Sequence, residues 1–258
     1  MKRWVTAEAD SALAEALARD TELPVVVAGV LAARGVTNPE AADRFLNPRL
    51  SDLSDPMSLP GAAEAAARIW SAVDRGEKIA VFGDYDADGV ISAAILSDVL
   101  RQLGADVAVA LPSRFEEGYG LSLPALERSL RGGRPSLLIT VDCGSNDAQA
   151  VADLVGAGVD VVVTDHHTIQ ADPARPTVHV NPRLGGEGDL CSLAGAGVVF
   201  KLCHALLKTG RDGGRAKAGL DLRQYLDLVA LATVTDVMPI AGENRIIVKH
   251  GLARFQNT

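Results

Sequence analysis

The sequence predicts a doubly wound α/β fold, with a mainly parallel five-stranded sheet preceded by a helical lead-in, and three observations carry that prediction. Short apolar runs recur at 78–83, 106–111, 136–142, 159–165 and 177–181. Helical stretches such as ISAAILSDVLRQLG and NDAQAVADLVGAG lie between them. The runs are unbroken rather than alternating, the pattern of parallel strands covered by helices on both faces.

Taken in order, residues 6–50 read as helical segments, AEADSALAEALA, VVVAGVLAARG and PEAADRFLNP, with Gly35 and Pro39 as punctuation. The turn-rich SDLSDPMSLPG follows, then the helix GAAEAAARIWSAVDRG, so residues 1–76 form the lead-in. Residues 77–240 form the α/β domain, which closes with the helical stretches SLAGAGVVFKLCHALLKTG and LDLRQYLDLVALATVTDVMP. A further helix begins in 241–258. No internal repeat is present.

Composition sets limits on function. A chain of 258 residues with 48% hydrophobic and 22% charged residues has ample material for a core and too little Gly and Pro to be fibrous. A net charge of −8 argues against coating nucleic acid or an anionic membrane through bulk positive charge. Cys143, Cys191 and Cys203 have no CxxC spacing and cannot all pair internally, which points to a reducing cytoplasm. The N-terminal segment turns acidic before any apolar run, and the apolar stretch from Leu23 to Ala33 is well short of the ~20 residues that span a bilayer. Neither secretion nor membrane insertion is expected.

In doubly wound sheets ligands bind beyond the carboxyl ends of the strands. Three of those ends here are acidic: DYDADG after the first run, VDCGS after the third and TDHH after the fourth. Asp84, Asp86 and Asp88 alternate, so an extended backbone would point them to one side, and their mutual repulsion calls for a cation. With Asp142, Asp165, His166 and His167 the donors are mostly oxygen with a minority of nitrogen, a set suited to Mg²⁺ or Mn²⁺. A bridging carboxylate would hold two ions as in-line phosphoryl transfer requires. Each Asp alone is as well explained as a helix cap, but three acidic strand ends on one sheet are not. A calcium loop starting at Asp84 would need an acid where Ile95 stands, and no Walker A loop occurs. His179, Cys203, His204 and His250 read as structural or solvent-facing, and Cys143, with no base assigned to it, as a packing residue.

GDYDADGVISAAIL, TVDCGS, VTDHH and ALATVTDVMPIAGENRIIVKHGL together resemble the DHH phosphoesterase superfamily, and in detail its single-stranded-DNA-specific exonucleases; the lead-in and LAGAGVVFKL are similar too. The resemblance implies a site for two Mn²⁺ or Mg²⁺ ions held by Asp86, Asp88, Asp142, His166 and Asp236, with Asp142 the bridge. It implies His167 on the scissile phosphate, Asp84 beside the metals as a catalytic acid, Asp165 in support, and Ser92 and Asn181 as weaker supporting residues. The implied activity is 5′-to-3′ hydrolysis of single-stranded DNA in recombination and repair, with a helicase or single-strand-binding protein as a protein partner. Such proteins continue into further domains, so the chain is expected to be the catalytic part of a longer machine. Two alternatives remain: a phosphodiesterase of short oligonucleotides or cyclic dinucleotides, and a catalytically weak scaffold. Six basic residues between Lys201 and Arg223 outnumber two acids, and Lys201, Lys208, Arg211 and Arg215 are candidates for guiding the strand.

Overall fold

The computed structural model describes residues 10–118, 120–130, 133–186 and 188–255. The chain divides into two compact units, Met1–Asp52 and Leu53–Thr258.

In the first unit the described residues form three α-helices. Asp10 caps α1 (Ser11–Thr21) by accepting from the backbone N–H groups of Ala12 and Leu13. The apolar run VVVAGVLA forms α2 (Val25–Ala32), and α3 (Pro39–Leu46) starts with Pro39 in its first turn behind the cap Asn38, whose Oδ1 accepts from Ala41 N. These are the start signals legible in the sequence. Leu31, Val36 and Ala42 form a small core with Leu23, Ala41 and Phe45 against it.

In the second unit, α4 (Ala62–Arg75) packs on the α/β core rather than among the lead-in helices with which the sequence groups it. Its Trp70 is the reason: Nε1 donates to Leu206 O at 2.9 Å in the interior of this unit. The sheet follows as β1 (Lys78–Gly83), β2 (Asp106–Ala110), β3 (Leu137–Val141), β4 (Asp160–Thr164) and β5 (Val178–Val180), all parallel and in the order β2-β1-β3-β4-β5. Between strands run α5 (Ala87–Leu103), α6 (Leu123–Leu130) and α7 (Ala148–Gly156). The helix α6 is not among the sequence expectations; Pro124 sits in its first turn, where no N–H is required, and Ser122 Oγ accepts from Ala125 N.

Ala80, Phe82, Leu138, Val161 and Val163 cluster with Leu126 of α6 and Val151 of α7 on one face. Strand alternation turns Val81, Ile139 and Val162 to the other face, so both sides are covered and the central strands read as continuous apolar runs. The chain leaves β1 for β2 on one side and returns to β3 on the other. This reversal opens a crevice at the carboxyl ends of β1 and β3, where Asp84 and Asp142 lie.

Three helices complete the unit: α8 (Gly195–Asp212), α9 (Leu226–Thr235) and α10 (Gly242–Phe255). The last two are in intimate contact at Gly251, where a Cβ would come within 2.3 Å of Leu226 O and 2.4 Å of Ala230 Cβ. Since α9 delivers Asp236, this contact sets the height of that carboxylate. Gly251→Ala is expected to lower stability by about 1–3 kcal/mol through overpacking, read as a reduced denaturation midpoint at unchanged m-value.

Candidate metal centre

Each acidic residue reaches the crevice by its own route. Beyond β1 the backbone does not stay extended: Asp86 is the N-cap of α5, accepting from Gly89 N at 2.9 Å, and Asp88 lies in the first turn. The expectation that alternation alone would aim Asp84, Asp86 and Asp88 to one side is therefore corrected; a helical turn, not a pleat, delivers them. Gly89 makes the tight turn possible, since a Cβ there would lie 2.5 Å from Asp84 N. Asp88 is buried, and its two oxygens accept from the first N–H groups of α8, Gly195 at 2.6 Å and Ala196 at 2.8 Å. The helix α8 has no side-chain cap of its own, so a carboxylate from α5 meets its positive end.

Asp142 is the first residue past β3 and adopts φ 61°, a conformation costly for a non-glycine residue. Its N–H continues the ladder to Thr164 O at 2.9 Å while the side chain turns into the crevice. Gly195 leaves the room: a Cβ at that position would sit 2.7 Å from Asp142 Oδ1.

The centre of the arrangement is His166. Its Nε2 lies 3.1 Å from Asp142 Oδ1, 3.7 Å from Asp236 Oδ2 and 3.8 Å from Asp88 Oδ2. Two overlapping groups of donor atoms, each within 4.8 Å, result: Asp142 with His166 and His167, and Asp88 with His166 and Asp236. Asp142 Oδ1 and His166 Nε2 are both buried and neither has a hydrogen-bond partner. Buried polar atoms left in this state are costly, and a divalent cation among them would satisfy both. The oxygen-rich donor set fits Mn²⁺ or Mg²⁺ on the same grounds. Asp84 and Asp86 border the centre without joining either group. Asp84 is fully buried and its Oδ1 accepts from Tyr85 N, whereas Asp86 is exposed.

The electrostatics follow from crowding. Burial, reinforced by neighbouring carboxylates, raises Asp88 and Asp236 above the ordinary carboxylate range and pushes Asp142 up to about 10. Asp165 behaves oppositely. Burial works against its charge, but Oδ1 accepts from His166 N, His167 N and His167 Nδ1, and Oδ2 from Ser145 N, which together hold it well below the usual range. The same contact raises His167.

Behind the histidines lies a supporting layer. Asn181 Nδ2 donates to the carbonyl of His167 at 3.1 Å and to Ser145 Oγ at 3.0 Å, and Ser145 Oγ lies 2.9 Å from His179 Nε2. Arg183 Nε donates to the carbonyl of His166 at 3.0 Å. His179, read in the sequence as structural or solvent-facing, has this structural contact with Ser145, whereas Ser145, Arg183 and the Gly195–Ala196 amides are absent from the sequence expectations. Only the amides left a trace there, since LAGAG opens an apolar helix with no capping residue. Ser92 is buried on α5 with no hydrogen-bond partner for its Oγ. Cys143 is buried and its thiol pushed well up by burial, which suits packing rather than attack.

Of the four candidate strand-guiding residues, Lys201 alone is buried, and all four make contacts within the protein. Lys201 is buried, its Nζ bonded to Glu243 Oε1 at 2.8 Å, Ser54 O at 2.8 Å and Ser54 Oγ at 2.7 Å, so it offers no charge to a ligand. Lys208 pairs with Asp55 at 2.6 Å, and Arg215 pairs with Asp74 at 2.6 Å and lies over the Trp70 ring. Arg211 donates to Ala218 O. At about 1.5 Å per residue, Lys208 is about 20 Å along α8 from the end that holds Asp88.

The fold is that of the DHH phosphoesterases, and the chain belongs to that family: the model of the DHH family, N-terminal domain, matches residues 78–233. The single-stranded-DNA-specific exonuclease RecJ of Bacillus subtilis is 38% identical over 99% of this chain and 31% of that protein, and the one from Thermus thermophilus 41% identical over 84% and 32%. The crystal structure of the Thermus thermophilus RecJ in complex with Mn²⁺ superposes with a TM-score of 0.74, at 35% identity, over 96% of this chain and 34% of that one. The chain thus spans about a third of the length of these relatives.

The geometry makes two measurable claims. Gly195→Ala forces Asp142 aside, and Mn²⁺ affinity measured by calorimetry is expected to fall about 10–100-fold with the circular dichroism spectrum retained. The raised carboxylates hold protons that the unfolded chain releases above about pH 4. Metal-free stability therefore declines as pH rises from that point through their folded pKa values, whereas Mn²⁺ binding expels those protons and strengthens. Melting scans between about pH 5 and 8 should show the metal-free Tm falling and the Mn²⁺-induced increase growing.

Proposed function

We propose that this chain carries the metal-dependent phosphodiesterase centre of a single-stranded-DNA-specific exonuclease acting 5′ to 3′ in recombination and repair. The observation that carries the reading is the unpartnered pair Asp142 Oδ1 and His166 Nε2, ringed by Asp88 and Asp236 at the switch point of a DHH-family sheet. Asp88, Asp142, His166 and Asp236 would hold two Mn²⁺ or Mg²⁺ ions, with Asp86 able to reach in from the rim. Bound there, the ions supply Lewis acidity toward phosphoryl oxygens and water and offset charge on the leaving oxygen.

The remaining roles belong to the protein. Asp165 grips the His167 ring and favours its charged form beside the donor groups, which suits contact with a scissile phosphate. Asn181 and Arg183 pin the carbonyls of the two histidines, so the imidazoles keep their orientation when the crevice fills. Asp84 would serve as a catalytic acid at the margin of the centre, where it is buried and burial raises its pKa.

No described helix is long and apolar enough to cross a membrane. A cytoplasmic setting fits Cys143, Cys191 and Cys203, all free thiols. A helicase or a single-strand-binding protein would be the natural supplier of the strand.

The test is release of nucleotides from an end-labelled single strand with Mn²⁺. Activity from the 5′ end is expected, with a loss of at least about a hundredfold in Asp142→Ala. Full activity in that variant overturns the reading, and faster turnover of a dinucleotide than of a long strand redirects it to short oligonucleotides.

A further inference from the structure

Among the described residues of the α/β unit, two that are not glycine have a left-handed backbone: Asp142, a donor of the candidate centre, and Val237, the residue that follows the donor Asp236. The strain at Asp142 has a visible return, since that residue is itself a donor. Val237, with φ 56°, does not have this explanation. A β-branched side chain is among the least tolerant of that conformation. The segment closes α9: Val237 N donates to Val234 O at 3.2 Å and Met238 N to Thr233 O at 3.1 Å, a Schellman ending whose left-handed position normally holds glycine. The chain uses glycine for this purpose elsewhere, with Gly76 after α4 at φ 63° and Gly104 after α5 at φ 99°. A glycine at 237 would make the same turn and present Asp236 in the same way. Burial does not offset the cost either, because Val237 is 87% exposed.

The side chain is therefore costly, dispensable for the turn and open to solvent, one residue from a carboxylate 3.7 Å from His166 Nε2. Its exposed apolar neighbours Val234 and Ile240 extend the surface on either side in sequence. We propose that Val237 is a substrate-contact residue, its isopropyl group resting on the deoxyribose and base of the nucleotide next to the scissile phosphate. These are the apolar parts of a single strand, and contact with them offsets the repulsion between Asp236 and the phosphates on either side. The inference rests on the proposed function and deepens it by naming a part of the strand that the site holds.

Val237→Asn and Val237→Gly test it, as both residues accept a left-handed backbone. The asparagine variant is expected to raise Tm by about 2–4 °C through relief of strain. Both variants should weaken binding of a fluorescent oligothymidine in anisotropy titrations about three- to tenfold, and raise KM for its hydrolysis in step, with Mn²⁺ affinity unchanged. Wild-type strand binding and KM in both variants overturn the proposal. So does a loss of Mn²⁺ affinity that tracks the loss of activity, because the residue would then act through Asp236. A wild-type chain that neither binds nor cleaves single strands overturns the functional reading and this one with it; an active wild type with unaltered variants overturns this one alone.

Discussion

Around His166 Nε2 the protein gathers three carboxylates that would rather be apart. The oxygens offered by Asp88 and Asp236 are within 4.8 Å of each other, a distance at which two full charges repel by about 3–4 kcal/mol at an effective dielectric near 20. Against a typical net stability of about 5–15 kcal/mol, such a cost must be met by the rest of the fold. The structure meets it in three ways: pKa values raised by burial on Asp88, Asp142 and Asp236, the positive end of α8 on Asp88, and the imidazole between them.

This requirement explains where the fold is tight. Gly89 lets α5 begin immediately after β1, and Gly195 lets α8 approach Asp142 to van der Waals distance. The buried Lys201–Glu243 pair ties the middle of α8 to the start of α10, while Asn244 Nδ2 donates to Ser192 O ahead of α8 and to Pro239 O after Asp236. The helix whose first amides hold Asp88 is thereby joined to the segment that follows Asp236. A buried charge pair is weak support for stability in itself, but truncating one partner is severe because the other charge is stranded. Here the pair joins α8, whose first amides hold Asp88, to α10, which packs on α9 ahead of Asp236.

Helix caps and ligands are not alternatives at this site. Asp86 caps α5 and Asp88 caps α8 from another element, which are the ordinary tasks of an aspartate near a helix start. The same hydrogen bonds fix the carboxylates in the orientation a cation needs.

Much of this was legible in the residues alone. Unbroken apolar runs marked the five strands, and acidic residues at three strand ends marked the crevice, because burial on both faces and the topology of parallel sheets leave those traces in any sequence. Resemblance added Asp236, which nothing local distinguishes from a helix cap. Helical periodicity does not reveal that Lys201 faces Glu243 across the interior, and Ser145 and Arg183 were missed because their partners are distant or are backbone atoms. Local pattern determined the elements and the donor types, since both depend on residues close in sequence. Only the tertiary structure decided which donors meet, what holds them and where the strain at Asp142 and Val237 falls, because those follow from distances between segments far apart along the chain.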